Sequence, residues 1–418
     1  MLETAKNAFK IKELRDRILF TLAMFVIFRI GSHVPVPGVD PARLAAFFEG
    51  HDIFGFLNVI GGGALSRFTI FAMGIMPYIN ASIIMNLLTV VIPKLKEWSE
   101  EGPEGKKKLA QLTRYGTIVI ALIQAVGMSF TIAREAILEQ TFFSYFIIII
   151  SLTAGTAFLM WMGELITEKG IGNGISLIIF AGIIAGFPMT VAVNYSLLRS
   201  GEISALVVIL VVIFLLLLIV GIIGLDQGQR RIPVHYSKRI KGRKMYGGQT
   251  THIPMKVNPA GVIPVIFASV LLMFPATIVQ FINHPIAESI AGALSWGAPL
   301  NLVLYVLLII LFAYFYTAIQ FDPNQISGNI RKYGGFIPGL RPGRPTSEYL
   351  ARVITRLTTV GAFSLAFIAV FPILMEGATN VQVVFGGTGL IIVVGVTLET
   401  MKQIEGHLLT RSYRGFMK

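Results

Sequence analysis

Ten long apolar stretches run through this chain of 418 residues, and nearly all of its basic residues fall in alternate gaps between them. About 20 apolar residues at a rise of 1.5 Å per residue allow an α-helix to cross a hydrocarbon core of roughly 30 Å. The pattern therefore predicts a protein that crosses a membrane ten times. The predicted spans are residues 18–34, 68–92, 115–132, 142–165, 175–193, 205–225, 260–281, 300–321, 353–374 and 381–398.

Composition favours helices as the spanning elements. Hydrophobic residues make up 54% of the chain and charged residues 14%, with a mean hydropathy of +0.74. An open sheet would leave backbone N–H and C=O groups unpaired in lipid, and the apolar stretches lack the period-two alternation of a membrane barrel. The expected fold class is an all-α polytopic membrane protein. Because the sequence contains no cysteine, disulfides, thiolate metal sites and cysteine nucleophiles are excluded.

The basic residues predict the orientation of the bundle. All but five of the 35 Lys and Arg residues lie on one side, in the tails, in the gaps or, for Arg356, at the adjoining end of a span. The exceptions are Arg29, inside the first span, and Arg43, Arg67, Arg134 and Arg199 on the opposite side. Because loops rich in Lys and Arg stay in the cytoplasm, this side and both termini are expected to be cytoplasmic.

Ten spans with both termini on one side divide into two halves of opposite topology, as in the inverted repeats of many transport proteins. The expected organisation is a basic amphipathic tail at 1–17, an N-terminal half of helices 1–5 at 18–196, a C-terminal half of helices 6–10 at 197–400 and a basic tail at 401–418. Two cytoplasmic connections, 226–259 and 322–348, are long enough to project from the membrane.

The spans lack the residues that catalysis or ion-coupled transport needs. The six His residues lie in loops or at span ends, no carboxylate sits mid-span, and no nucleotide-binding, zinc-protease or serine-hydrolase motif occurs. We therefore expect neither enzyme activity nor a cofactor. The main alternative to a passive channel is a secondary transporter, which would require a buried charge near the midplane. A membrane-embedded transferase or protease is the third class, and would require clustered His, Asp or Ser in the spans.

Five segments carry a resemblance to a known family. They are P-V-P-G at 35–38, G-I-M-P-Y-I-N-A-S-I-I at 74–84, G-E-L-I-T-E-K-G-I-G-N-G-I-S at 163–176, N-P-A-G-V-I-P at 258–264 and G-G-F-I-P-G-L-R-P-G at 334–343. Together, in this order and among ten spans, they resemble the SecY family of channel-forming subunits of the Sec protein translocase. The resemblance runs from about residue 12 to the last span.

The resemblance implies two five-helix halves that close like a clamshell around an hourglass pore. At its waist it implies a ring of aliphatic residues, namely Ile79, Ile83, Ile183, Ile266 and Ile392, with Ile179 and Ile391 as alternatives to Ile183 and Ile392. Such a ring can exclude ions from a narrow pore while yielding to an extended peptide. Each isoleucine alone is more often an ordinary packing residue, but Ile79 and Ile83 share one helix face at their i, i+4 spacing.

Three further sets of residues follow from the resemblance. A plug, a short helix that fills the external funnel at rest, is implied for Asn58, Gly61, Gly62, Gly63, Ala64, Leu65, Ser66 and Arg67. A polar cluster at a lateral gate is implied for Asn80, Gln124 and Ser269, and docking of a motor or ribosome for Arg243, Lys244 and Arg341. From sequence alone, a surface loop, interhelical hydrogen bonds and a solvated surface remain the alternatives for the three sets.

The resemblance also implies partners and a location. The chain would be the pore-forming subunit of the general secretory translocon in the bacterial plasma (inner) membrane. It would pass signal peptides and unfolded preproteins and release apolar segments into lipid. Small SecE-like and SecG-like subunits would accompany it, and the motor ATPase SecA or the ribosome would supply energy at the basic loops. The basic stretch at 105–108 would meet anionic lipids.

Overall fold

The structure, a computed structural model, describes residues 9, 11–40, 43–44, 61–131, 136–137, 139–236, 239–241, 244–246, 250–279, 292–294, 297–383 and 386–415. The described helices of the N-terminal half are α1 (Lys12–Gly31), α2 (Met76–Val91), α3 (Pro93–Glu100), α4 (Pro103–Thr131), α5 (Phe142–Lys169) and α6 (Gly174–Ser200). Helix α6 therefore continues past the expected boundary between the halves at residue 196.

The C-terminal half combines long helices with short strands. Its helices are α7 (Ala205–Gln227), α8 (Ile263–Val279), α9 (Pro299–Gln320), α10 (Pro323–Lys332), α11 (Arg344–Thr379) and α12 (Gly386–Gly415). Its strands are β1 (Gln229–Tyr236), β2 (Arg239–Lys241), β3 (Lys244–Tyr246), β4 (Thr250–Lys256) and β5 (Gly335–Phe336). Helix α12 includes most of the segment expected to be a separate tail.

Each of the ten predicted spans overlaps one of these helices, as expected of an all-α polytopic membrane protein. Taken singly, α4, α5, α6, α7, α11 and the stretch of α9 with α10 are long and apolar enough to cross a membrane, and the bent pair of α2 and α3 adds a seventh candidate. Helix α8 is shorter, at 17 residues. Helices α1 and α12 are not among these candidates, and α1 begins and α12 ends with turns that carry charged residues.

The second span differs from its prediction because its helix starts late. The predicted span begins at residue 68, but turns continue to Ile75 and α2 begins only at Met76. Phe68 and Gly74 adopt positive φ values of 43° and 57°, which interrupt a right-handed helix. At the other end Ile92 is extended before Pro93, as proline requires of its predecessor, and α3 turns away from α2 by 102°.

The two halves are joined mainly where α6 packs against α12. Near one end of this contact the Asn194 side-chain amide donates to the carbonyl of Gln382 at 2.7 Å, and the Gln382 N–H donates back to Asn194 Oδ1 at 3.0 Å. Near the other end the N–H of Gly172 donates to Gln403 Oε1 at 2.9 Å. This edge of the molecule is therefore fixed at both ends by hydrogen bonds.

The two projecting connections form a single unit rather than two independent loops. Strand β1, from the first connection, pairs antiparallel with β4 on one side and with β5, from the second connection, on the other. Alternate residues of β1, Ile232 and Val234, are buried and share an apolar core with the start of α11. The sequence prediction treated the connections separately because pairing between distant segments leaves no local signal.

Candidate pore, plug and lateral gate

The five isoleucines predicted for the pore ring lie in one apolar cluster at the junction of the two halves. Ile79, Ile183 and Ile392 are buried within it, and Ile83 and Ile266 are half-buried against it. Helices α2 and α6 of the first half and α8 and α12 of the second supply them. The structure therefore brings together side chains that are up to 313 positions apart, between Ile79 and Ile392 in sequence.

Membership of this cluster distinguishes Ile392 from Ile391, the alternative predicted for α12. Ile392 belongs to it, whereas Ile391 belongs to a second cluster inside the C-terminal half with Leu390 and Val394. The helix turn of about 100° per residue directs these neighbours to different sides. On α6, Ile179 and Ile183 both belong to the junction cluster, so both alternatives stay open there.

The structure adds cluster members that the sequence interpretation missed. Each contributing helix presents an apolar pair at i, i+4, and only the pair on α2 was predicted as such. The pairs are Ile79 with Ile83, Ile179 with Ile183, Ile266 with Val270 and Ile392 with Val396. Residues at this spacing lie one above the other on a helix, so each pair forms one vertical wall of the junction. The repeated spacing is a signal that was available in the sequence.

The described part of the predicted plug, residues 61–67, lies against this junction. The plug prediction includes Asn58, which lies outside the described residues. Ala64 is fully buried in the junction cluster, and Gly62 packs so closely on α6 that a Cβ there would lie 3.3 Å from the Cα of Gly182. Gly182 directly precedes Ile183, so the plug segment touches α6 at the level of the isoleucines.

The helical conformation predicted for the plug is wrong for residues 61–67, which form turns. Gly62 and Gly63 have φ values of 65° and 81°, in the left-handed region, where glycine is free of the usual steric penalty. Two successive residues of this kind cannot continue a right-handed helix. The glycine run therefore shapes a compact turn.

Polar contacts hold both ends of the plug segment. Arg29, which lies inside the first predicted span, donates from Nη1 to the carbonyl of Gly62 at 3.2 Å. Arg67 donates from Nη1 to His33 Nε2 at 2.6 Å. The P-V-P-G segment lies alongside, where the N–H of Val36 donates to the carbonyl of Phe68 at 3.0 Å. Arg29 thus gains a polar partner that offsets part of the cost of a charge in the membrane.

The three residues predicted for the lateral gate do not form one hydrogen-bonded cluster. Asn80 on α2 and Gln124 on α4 are half-buried, whereas Ser269 on α8 is fully buried. Within the described part of the chain, no side-chain hydrogen bond joins any two of them. The Ser269 hydroxyl donates to the carbonyl of Val265 at 2.5 Å on its own helix.

Ser269 belongs instead to a polar group inside the C-terminal half. It lies near the Tyr305 hydroxyl on α9, which in turn lies 2.5 Å from Thr388 Oγ1 on α12. All three side chains are buried, so each polar atom needs a partner in the protein. This group crosses α8, α9 and α12 and was not predicted, because a single hydroxyl in an apolar stretch does not reveal its partner.

Comparison with known proteins identifies the family. The family model described as SecY matches residues 69–401. A SecY translocase subunit of Halalkalibacterium halodurans is 49% identical over the whole of both chains, and one of Pseudomonas aeruginosa is 43% identical over 98% of this chain and 94% of the other. The chain belongs to the SecY family.

Solved structures of SecY-type channels share the fold. A structure of a protein conducting channel aligns with a TM-score of 0.67 at 20% identity, covering 93% of this chain and 91% of the other. Sec61 in the canine ribosome–channel complex aligns with a TM-score of 0.64 and the same coverage. At this identity the structural matches confirm the polytopic helical fold, and the sequence relatives confirm the SecY resemblance.

The residues that the resemblance implies for docking lie on the two projecting connections as far as these are described. Arg341 is exposed in the turn between β5 and α11, and its carbonyl accepts from Thr346 Oγ1 at 2.8 Å. Gly339 and Gly343 flank it with φ values of 80° and 110°, so only glycine suits these turn positions. Lys244 is the first residue of β3, and Arg243 lies outside the described residues.

Proposed function

We propose that this chain is the pore-forming subunit of the general secretory translocon, a passive channel for unfolded polypeptides. The observation that carries the proposal is the isoleucine cluster, to which two helices of each half contribute. Branched apolar side chains at such a junction exclude hydrated ions when packed together, because a narrow apolar constriction loses its water. Such a junction has no directional bonds to break, so an extended peptide can separate it and the ring can close again behind the peptide.

Lateral release is proposed at the edge opposite α6 and α12. The hydrogen bonds of Asn194 with Gln382 and of Gly172 with Gln403 make the α6–α12 edge the natural hinge. At the other edge, α2 meets α8 in the isoleucine cluster, and we assign the gate there, with Asn80, Gln124 and Ser269 as its polar residues. Because no side-chain hydrogen bond joins two of these residues in the described structure, apolar packing holds this edge closed. An apolar signal helix can compete for such contacts.

The plug segment is proposed to close the external funnel at rest. Its hydrogen bond with Arg29 uses the carbonyl of Gly62, a neutral acceptor that water can replace, whereas Ala64 and Leu65 are buried in two apolar clusters. A peptide that enters the junction would have to replace the contacts of these two side chains before the segment moves. Because residues 61–64 are all small, this part of the segment inserts no large side chain between the helices that it covers.

Partners and location complete the proposal. The chain would lie in the bacterial plasma membrane with both termini in the cytoplasm, together with SecE-like and SecG-like subunits. We call the two projecting connections, residues 226–259 and 322–348, the cytoplasmic unit. SecA or the ribosome would dock on this unit through Arg243, Lys244 and Arg341 and supply the energy. A ribosome complex is described for the related Sec61 channel. The chain itself would not be an enzyme.

A reconstituted transport assay tests this function. Proteoliposomes containing the chain, its two small subunits and external SecA with ATP should protect a signal-bearing preprotein from added protease. Arg341→Ala should slow protection about tenfold, since one charge-assisted contact is worth roughly 1.4 kcal/mol. Arg331→Ala, which removes an exposed arginine of the same cytoplasmic unit, should leave the rate unchanged. Absence of protection, combined with saturable uptake of a small solute, would instead favour the transporter alternative.

A further inference from the structure

A basic cavity opens where the cytoplasmic unit meets the C-terminal helices. Its volume is about 270 Å³. The lining residues are Arg230, Tyr349, Arg352, Val353, Arg356, Leu357 and Val360. The lining therefore combines three arginines and a tyrosine with three aliphatic residues.

Backbone geometry explains how the three arginines converge. Side chains alternate between the two faces of a strand, so Arg230 shares a face of β1 with Ile232 and Val234, whose side chains pack against α11. On α11, Arg352 and Arg356 are one turn apart and lie on the same side of the helix. The apolar core between β1 and α11 therefore ends in a cluster of positive charge.

This charge has no acidic counterpart in the cavity. No Asp or Glu occurs among the described residues that line it, and none within the described chain lies at salt-bridge distance from the three guanidinium groups. Glu348, one turn before Arg352, pairs with Arg344 at 3.0 Å. Elsewhere on the chain, Arg114 and Lys402 have carboxylate partners at 2.6 Å and 2.7 Å. Like charges gathered without a partner favour an anion from outside the chain.

The cavity lies at the boundary between polar and apolar surface. Arg230 comes three positions after Gln227, the last residue of the strongly apolar helix α7. Along α11, Val360, Phe363 and Phe367 follow the arginines with 59%, 59% and 55% exposure. Exposed aromatic and aliphatic side chains on a membrane-spanning helix face lipid tails. The arginines are therefore at the depth of the phospholipid head groups.

We propose that this cavity binds the head group of an anionic phospholipid of the cytoplasmic leaflet. Arg230, Arg352 and Arg356 would hold its phosphate through charge-assisted hydrogen bonds, for which the planar guanidinium is well suited. The acyl chains would descend along Val360, Phe363 and Phe367. A nucleic acid or an acidic peptide would satisfy the arginines but would leave this apolar surface unused, so a lipid fits the whole site better.

A lipid-quenching experiment tests the site without transport. The chain has no cysteine, so Phe363→Cys provides one attachment point for a fluorophore just beyond the cavity. In bilayers of phosphatidylcholine, brominated phosphatidylglycerol should quench this fluorophore at a mole fraction about tenfold lower than brominated phosphatidylcholine does. The reason is that each arginine near the membrane surface strengthens the attraction between the protein and an anionic lipid. Arg352→Gln combined with Arg356→Gln should remove most of this preference.

A matched variant separates a specific site from general surface charge. Arg331→Gln combined with Lys332→Gln removes the same charge from the same cytoplasmic unit, outside the cavity, and should retain the preference. An equal loss in both variants, or no preference in the parent, would overturn the proposal. So would displacement of the lipid by millimolar glycerol phosphate, which would indicate a site for free phosphate. If the cavity variant lost ribosome binding with its lipid preference intact, the arginines would bind nucleic acid instead.

Discussion

Replacing Ile183 and Ile392 together by serine is expected to make the resting channel leak ions. Both side chains are 1% exposed and meet at the junction of the halves, where they exclude water. Serine shortens both side chains and adds hydroxyls that hold water, so the constriction should become wet. We expect potassium efflux from proteoliposomes to rise at least about tenfold, which corresponds to roughly 1.4 kcal/mol off the barrier.

The neighbouring residue Ile184 supplies the control for this prediction. It is 40% exposed on the other side of α6, so Ile184→Ser changes the same helix without touching the junction. Flux through that variant should equal that of the parent. Equal leakage in both variants would show a general loosening of the protein, and no leakage in the double variant would remove the isoleucine ring from the seal. Melting temperatures in detergent would establish that all three proteins are folded.

Gly174→Ala is expected to prevent the protein from accumulating in folded form. A Cβ at this position would overlap the carbonyl oxygen of Gly163 and contact the Cβ of Ile166 at 2.9 Å. The Gly163 carbonyl oxygen belongs to the backbone of α5, and the Ile166 Cβ is attached directly to that backbone, so neither atom can move aside alone. Helix α6 would therefore have to shift as a whole. Overpacking typically costs 1–3 kcal/mol, and a backbone clash should reach at least about 3 kcal/mol. The close approach of Gly163 and Gly174 thus determines the distance at which α5 and α6 pack.

Gly186→Ala, in the same helix, is the matched control. A Cβ there meets no atom within 4 Å, and alanine is a better helix former than glycine. This variant should be as stable as the parent or more stable by up to about 1 kcal/mol. The measurement is the yield of monodisperse protein after detergent extraction, together with its thermal midpoint. Normal yield and midpoint for Gly174→Ala would contradict the close approach of α5 and α6.

The sequence was sufficient to predict helices because lipid leaves the backbone few alternatives. Each apolar stretch contains a helix, since no other single segment satisfies its own backbone in a membrane. Hydropathy did not predict the start of α2 correctly, because the positive φ values of Phe68 and Gly74 delay the helix to Met76. It also missed the antiparallel pairing of β1 with β5, which joins residues about 100 positions apart.

Some parts of the candidate site could be predicted from the sequence, and others could not. The motifs assigned the isoleucines to one ring, and the structure places them in one cluster, although their role in a seal stays a prediction. The polar surroundings of Ser269 could not be predicted from the sequence, because they depend on how α8 and α9 are rotated about their axes. The turn at Gly62 and Gly63 was predictable in principle, since successive glycines favour left-handed conformations.

Crosslinking to a polypeptide in transit would test the proposed pore most directly. With no native cysteine in the background, single cysteines at Ile83 and Ile183 can be offered to a stalled secretory chain carrying one cysteine. Disulfide adducts should form at both positions and should require a functional signal sequence and the motor. Ile184→Cys, on the exposed side of α6, should form none. Folded, active protein that forms no adduct at Ile83 or Ile183 would contradict a polypeptide path through the isoleucine ring.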